Sequence, residues 1–375
     1  VSIELNLSPS SEALRHEIRE WLLQNPPPQI SSEENLDLFV KESRAWQAKL
    51  ASNKFAGVFF PVENGGRGLG LVEEAVCQEE LARVNSPQLV GMFGLTMVGP
   101  VLIKYGTEEQ KKRFLPKIIP AQELWCQGFS EPEAGSDLAS VRTTARLDGS
   151  EYVLNGQKVW TSFAQYADWC FVLARSDESV ARHKGLSYFL VPMSTPGITT
   201  RPLKQITGES EFNEVFFEDV RVAEGNMVGA PGQGWEIAIS TLMFERVVLT
   251  LSRHLQSEQA MKELAHNIGK DPIKIQKYGE LLAANMAVRT LAASHLTEYS
   301  SARSPGPEGS MDKLLWSETF QRICDFALEL APEESFSGGK ALHRYLYSKG
   351  RTIAAGTSEI QRGIIAERVL GLPRK

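Results

Sequence analysis

Trp125-Cys126-Gln127-Gly128-Phe129-Ser130-Glu131-Pro132-Glu133-Ala134-Gly135-Ser136-Asp137 is the stretch at which the character of this chain changes. An apolar run breaks into a tight loop of Pro, Gly and small hydroxyl residues. Pro132 fixes one φ angle and Gly135 frees another. Such a loop can turn backbone N–H groups and the Ser130 and Ser136 hydroxyls toward one flat or anionic ligand. By composition alone it is equally an ordinary connection between strands.

On the N-terminal side of this loop the pattern is helical. Ser10 or Ser11 can cap a first helix carrying Leu14, Ile18, Trp21 and Leu22 at helical spacing, and Pro26-Pro27-Pro28 ends it. A second helix runs through Phe39, Ala45, Trp46 and Leu50. Two more are expected over Val72 to Arg83 and Leu89 to Tyr105, and Thr107 caps a short one with Glu109 and Gln110 in its first turn. The glycine-rich stretch Pro61 to Gly70 lacks both the GKS/GKT ending and the GxGxxG order, so it reads as a structural turn.

On the C-terminal side, short runs rich in β-branched and aromatic residues follow one another. Val141–Leu147, Tyr152–Leu154, Trp169–Ala174 and Leu186–Val191 are separated by Asp148-Gly149, Asn155-Gly156 and Pro196-Gly197. This spacing points to a small antiparallel barrel or sandwich ending near Val222. Beyond Pro231-Gly232-Gln233-Gly234 the helical period returns and holds to the C-terminus. The expected architecture is therefore helices, a β domain, then helices.

Bulk properties bound the function. The 375 residues are 42% hydrophobic and 23% charged, ordinary for a globular chain of about two or three packed units. A net charge of −6 argues against a nucleic-acid-binding surface. Cys77, Cys126, Cys170 and Cys324 show no metal spacing and read as reduced, mostly buried thiols. No basic n-region and no apolar run of bilayer length is visible, so a cytoplasmic protein without a membrane span is expected.

Three further places could carry chemistry. In Lys158-Val159-Trp160-Thr161-Ser162, strict strand alternation puts Trp160 and Ser162 on one face, an aromatic plane beside a hydroxyl. The helix from Trp235 is apolar nearly all round between Ile237 and Leu251, apart from Ser240, Thr241 and the pair Glu245-Arg246. A buried carboxylate tends toward a raised pKa and suits abstraction of a carbon-bound proton; the alternative is a structural ion pair. Glu245 and Arg246 are adjacent, and adjacent helix positions do not face each other. Last, Gly356 can end a helix and Thr357 can cap the next, with Glu359 in its first turn.

Taken together, Glu131-Pro132…Gly135-Ser136-Asp137, Lys158–Ser162, Gly232–Arg246 and Gly356-Thr357-Ser358-Glu359-Ile360-Gln361-Arg362 resemble, in order and spacing, the acyl-CoA dehydrogenase family of flavoproteins. Tyr105–Lys111 and the ending Ala366–Pro373 extend the resemblance over essentially the whole chain. It implies an α+β fold: an N-terminal helical domain (1–121), a central antiparallel β-barrel-like domain (122–230) and a C-terminal four-helix-bundle domain (231–375). It implies FAD as cofactor, with Phe129 and Ser130 at the pyrimidine edge and Ser162 near N5. Trp160 would pack on the isoalloxazine, and Gly135 and Ser136 would lie near the phosphates and the acyl-CoA. Thr357 and Glu359 would approach the adenosine half. The implied reaction is α,β-desaturation of an acyl-CoA thioester, with hydride passing to N5 and electrons on to an electron-transfer flavoprotein.

The chain departs from that pattern in three places. Many members carry the catalytic Glu just before the Gly-Thr-Ser turn, where this chain has Ala355. A minority place the base on the helix after the β domain, which selects Glu245, with Arg246 beside it as a substrate-binding residue. The usual Arg-x-x-Phe-Gly segment appears as Ala265-His266-Asn267-Ile268-Gly269, and the usual Gln-x-x-Gly-Gly falls near Glu329-Leu330-Ala331-Pro332. In the family those segments act across a subunit interface. Their loss implies that a homologous subunit supplies them in an α2β2 tetramer, as in actinobacterial members that act on steroid or other bulky thioesters. The segment from Ser304 to Leu314 resembles that subgroup too. A homotetramer, a non-catalytic subunit of such a pair, and an acyl-CoA oxidase are the alternatives.

Overall fold

A computed structural model describes residues 7–30, 35–302, 306–333 and 337–373; for 245–252 and 299–302 it describes the backbone only. The chain forms two compact units. One comprises Pro27–Leu69 and Pro87–Phe244, the other Val1–Pro26, Gly70–Ser86 and Glu245–Lys375.

The first unit holds α2 (Leu36–Ser52), α4 (Gly99–Tyr105), α5 (Glu108–Ile118) and eight strands. Thr107 caps α5 reciprocally with Gln110, the box read from the sequence. The helix expected over Leu89 to Tyr105 is interrupted by a π-turn at Gly94–Val98. Pro100 lacks the N–H that a regular helix needs here, and the wider turn sits directly before it. The Pro61–Gly70 stretch folds on itself: a Cβ on Gly66 would lie 2.0 Å from the Phe60 carbonyl oxygen, which explains the glycine without any ligand.

The strands are β1 (Trp125–Gly128), β2 (Thr144–Asp148), β3 (Glu151–Ser162), β4 (Trp169–Arg175), β5 (Leu186–Pro192), β6 (Ile198–Leu203), β7 (Phe212–Ala223) and β8 (Met227–Val228). The barrel expected from the strand spacing is not formed. The strands make one open sheet in the order β6-β7-β3-β2-β4-β5-β8, so β6 and β8 remain edges. Nor is it wholly antiparallel. Along one side of β4, β1 pairs parallel with residues 169–172 and β2 pairs parallel only at Thr144↔Arg175. Turn spacing reports hairpins such as β2–β3, but a parallel pair needs a long crossover, and nothing in the local pattern announces one. Closure is equally silent in the sequence, because an edge strand alternates like an inner one.

The β core is filled from both sides. Trp125, Trp169 and Phe114 pack ring on ring at 4.9–5.6 Å and seat α5 against the start of β1. Phe129 meets Phe171 and Tyr188 edge-on, which fixes the end of β1 where the loop begins. Cys126 and Cys170 are register partners, and all four cysteines are buried. Burial pushes the Cys126 thiol up, with Cys170 beside it adding to the shift.

The second unit is helical: α1 (Pro9–Gln24), α3 (Leu71–Arg83), α7 (Pro272–Ala302), α8 (Gly309–Leu330), α9 (Lys340–Arg351), α10 (Ser358–Ile364) and the later part of α6 (Gly234–Ala265). Ser8, not Ser10 or Ser11, caps α1, because Pro9 takes the first helical position, where a missing N–H costs nothing. Met261, Leu264, Leu281, Ile323 and Phe326 form one apolar core among α6, α7 and α8. A buried charge network holds α1 to α3: Glu79, fully buried, meets Arg15 at 3.0 Å and Arg83 at 3.2 Å, and also contacts Arg289 of α7. Among the described residues, no helix is long and apolar enough to cross a membrane, and no group of three His, Cys, Asp or Glu side chains could hold a metal ion.

Candidate functional site

The loop after β1 is held from beneath by one buried ion pair. Lys158 of β3 is fully buried, and its ammonium donates to the Glu131 carboxylate at 2.8 Å and to the Phe129 carbonyl at 3.0 Å. The Glu131 carboxylate also accepts from the Arg142 and Thr143 amides, at 2.6 and 2.9 Å. Burial disfavours this carboxylate, but Lys158 and the two amides outweigh that and hold its pKa below the usual range. Burial pushes Lys158 down while Glu131 opposes the shift. Sequence reading missed this pair. The signal was present: Lys158 shares strand parity with the inward-facing Tyr152 and Leu154, and an inward lysine requires a carboxylate partner.

The rest of the loop is anchored at both ends. Glu131 and Ala134 exchange backbone bonds across the Pro132-Glu133 turn. The Val159 amide donates to the Ser130 carbonyl at 2.9 Å, tying the loop to β3. Arg175 donates to the Ala139 carbonyl at 2.8 Å. Gly135 faces open space, and Ser136 is exposed. Asp137 accepts from Ser140 and from Arg182 at 3.1 Å, which together lower its pKa.

Trp160 sits in a bulge of β3. The register with β7 slips between Lys158 and Thr161, and Trp160 has φ of 60°, a left-handed conformation that a bulky residue adopts only under strain. Strict alternation therefore does not hold here. Val159 is half-buried, Trp160 is 61% exposed, Thr161 is fully buried and Ser162 is half-buried. The bulge pushes a large indole outward, touching Phe212 edge-on at 5.9 Å, and leaves Trp160 and Ser162 flanking buried Thr161. Phe163, next along, is also left-handed. An exposed aromatic plane and serine hydroxyls suit a flat heteroaromatic ligand.

The start of α6 belongs to the same unit. The Gly232 amide donates to the Ser187 hydroxyl at 3.0 Å, and a Cβ on Gly234 would lie 2.6 Å from the Ser187 backbone, so the helix begins hard against β5. Thr241 is buried on this helix. Glu245 and Arg246 lie within α6, but their side chains fall outside the described residues.

The remaining candidates lie in the helical unit. Thr357 caps α10 by accepting from the Ile360 amide at 3.3 Å, and Glu359 is exposed in its first turn. The hydrogen bond of Glu359 to its own backbone, aided by Thr357, lowers its pKa. The turn before it is over-determined. Ala355 and Gly356 both have positive φ, at 56° and 93°. The Gly356 carbonyl accepts from buried Lys313 at 2.7 Å, and Gln361 donates to the Ala355 carbonyl at 2.8 Å. Ala355 presents only a methyl group. At the end of α6, Gly269 turns left-handed and the Ile268 side chain is buried. Glu329 on α8 pairs with Lys277.

Comparison with known proteins agrees over almost the full length. The acyl-CoA dehydrogenase N-terminal, middle and C-terminal domain families match residues 8–122, 126–220 and 232–370. The chain belongs to the acyl-CoA dehydrogenase family. It is an FAD-dependent oxidoreductase of that family. It is 43% identical to acyl-CoA dehydrogenase IpdE1 of Mycolicibacterium smegmatis over 97% of this chain and 98% of that protein. The Mycobacterium tuberculosis protein of the same name is 42% identical over the same shares. Among solved structures, the Tcur3481-Tcur3483 steroid ACAD superposes with a TM-score of 0.84 at 26% identity over the whole of both chains. The ChsE4-ChsE5 complex of Mycobacterium tuberculosis gives 0.82 at 28%, again over the whole of both.

Proposed function

We propose that this chain desaturates the α,β bond of a bulky acyl-CoA thioester, with Glu245 as the base that removes the α-proton. The observation that carries the flavin half of this reading is the strained, exposed Trp160 in its bulge, next to Ser162 and tied through Lys158 to the Phe129–Ser130 loop. The residues fit the cofactor. Trp160 offers a plane for the isoalloxazine, the Phe129–Ser130 peptide, the Ser130 hydroxyl and Ser162 would line its polar edge, and Gly135 leaves room for a phosphate beside Ser136. Thr357 and Glu359 would serve the adenosine half. FAD supplies the two-electron chemistry by accepting the β-hydrogen with its electron pair. The protein orients the thioester, with Ser136 and Arg246 as contacts, and takes the proton.

Ala355 supports the choice of base, since a methyl group cannot accept a proton at the position many family members use. The relatives named for steroid chemistry support a bulky acyl group. The absence of Arg and Phe from Ala265–Gly269, and of Gln-x-x-Gly-Gly near Glu329, supports an α2β2 assembly with a homologous subunit that completes the FAD site. Complexes of two different chains are the form in which the Tcur3481-Tcur3483 and ChsE4-ChsE5 relatives are named. Electrons would leave to an electron-transfer flavoprotein. The division into parts at 1–121, 122–230 and 231–375 belongs to the same reading.

The test is anaerobic bleaching of the flavin by a steroid-derived acyl-CoA in the purified assembly. Glu245→Gln should keep FAD and slow bleaching by about 10³-fold or more. Bleaching at the parent rate would remove Glu245 as the base and favour a non-catalytic role for this subunit. Tight FAD binding by a homotetramer of this chain alone would remove the heteromeric assembly.

A further inference from the structure

The Lys158–Glu131 pair is more than an anchor for the loop. Lys158 donates to the Phe129 carbonyl oxygen at 3.0 Å from the buried side. The Phe129–Ser130 peptide is trans, since the described chain contains no cis bond. In a trans peptide the C=O and the following N–H point in opposite directions. Holding the Phe129 oxygen against Lys158 therefore aims the Ser130 N–H away from the core. Among the described residues no protein group accepts that N–H, while the Ser130 carbonyl is taken by Val159 at 2.9 Å.

We propose that Lys158 and Glu131 are positioning residues for the flavin: together they turn the Phe129–Ser130 peptide so that the Ser130 N–H faces the pyrimidine edge, and they strengthen it as a donor. The inference rests on the reading of this loop as the flavin site. An ammonium on a carbonyl oxygen polarises the whole peptide, so the N–H on its other end becomes a better donor. Glu131 keeps the ammonium in place and, by accepting from Arg142 and Thr143, fixes the far end of the loop. The donor gains most against the reduced ring, which holds more negative charge at that edge than the oxidised one. The pair thus acts on the potential as well as on affinity.

The experiment uses the flavin-loaded enzyme in the assembly in which it purifies. In the double variant Lys158→Gln/Glu131→Gln both charges go, while amide groups remain to meet part of the backbone. Its FAD dissociation constant should rise about tenfold or more. The midpoint potential of the flavin, measured at FAD saturation by dye equilibration, should become more negative. Trp160→Ala and Ser162→Ala separate the two layers of the argument. If these also leave FAD affinity and the visible spectrum unchanged, the flavin assignment itself fails. If they change both while the double variant binds FAD within twofold and at the parent potential, only the positioning role fails. A second measurement uses the unmodified protein, so it does not depend on the variants folding. FAD should slow hydrogen exchange at the Ser130 amide, and unchanged exchange there overturns the proposal.

Discussion

Trp160 offers a direct test of the strain at the candidate site. Its φ of 60° places an L-residue in the left-handed region inside a strand. That conformation costs about 1–2 kcal/mol for a residue with a Cβ and nothing for glycine. Glycine in turn loses about 0.5–1 kcal/mol relative to alanine when fixed in regular structure. The two terms oppose each other, and the first is larger. Trp160→Gly should therefore be more stable than Trp160→Ala by roughly 0.5–1 kcal/mol, the reverse of the usual order in a strand. Comparing the two variants cancels the loss of the indole, which is common to both. Urea denaturation of the flavin-free protein measures the difference. FAD affinity should fall in both by about tenfold, the value of one lost aromatic contact. If the alanine variant is the more stable by about 1 kcal/mol, the bulge is not strained at this residue, and the argument from strain to function falls.

Two further outcomes follow from buried charge. Glu79→Ala removes the carboxylate that Arg15, Arg83 and Arg289 share; because Arg15 also meets Glu80 at 3.5 Å, the loss should sit near the lower end of the range for a broken buried pair, about 3 kcal/mol by urea denaturation. An effect below about 1 kcal/mol would mean that the network is dispensable. Glu258 has its pKa lowered from 4.5 to about 2, mainly by His254, whose Nε2 lies 3.5 Å away, and then by Lys262 at 3.0 Å, against the opposing effect of burial. Its folded value lies below the unfolded one, so its contribution is present above about pH 4.5 and is lost as pH falls toward 2. The side chain is 26% exposed and partly screened, so Glu258→Gln should cost about 1 kcal/mol at pH 7, with the difference vanishing at the acid end. A cost that does not change with pH would refute the assignment.

Local chemistry was legible in the sequence. The capping box at Thr107, the cap at Thr357 and the β2–β3 hairpin at Asp148-Gly149 are each written in a few adjacent residues, and each forms. Long-range pairing was not legible. The parallel contact of β1 with β4 joins Trp125 to Trp169, and no short-range pattern encodes it. The cap at Ser8 was missed because Pro9 moves the helix start to the position where its ring is tolerated. At the site, the residue types pointed to Trp160 and Ser162, but alternation could not foresee the extra residue in the strand. A bulge is settled by pairing with β7, not by β3 alone. The partner of Lys158 was equally hidden, since Glu131 lies 27 residues away.

The two buried charge clusters differ in what they hold, and that difference separates packing from function. Around Glu79 the described contacts join side chain to side chain between helices whose backbones are already satisfied. Replacing such a network as a whole by apolar residues of similar volume is often neutral or stabilising. Lys158 and Glu131 hold backbone instead: the Phe129 carbonyl and the Arg142 and Thr143 amides lie in a loop with no ladder partner to take them over. An apolar replacement there would leave two buried backbone groups, the Phe129 carbonyl and the Thr143 amide, unmet at about 1–3 kcal/mol each, and would take the acceptor from the part-buried Arg142 amide. A core built only for stability has cheaper solutions than an ammonium beneath a loop. What the charged solution achieves is a fixed direction for one peptide, next to the residue that the bulge turns outward.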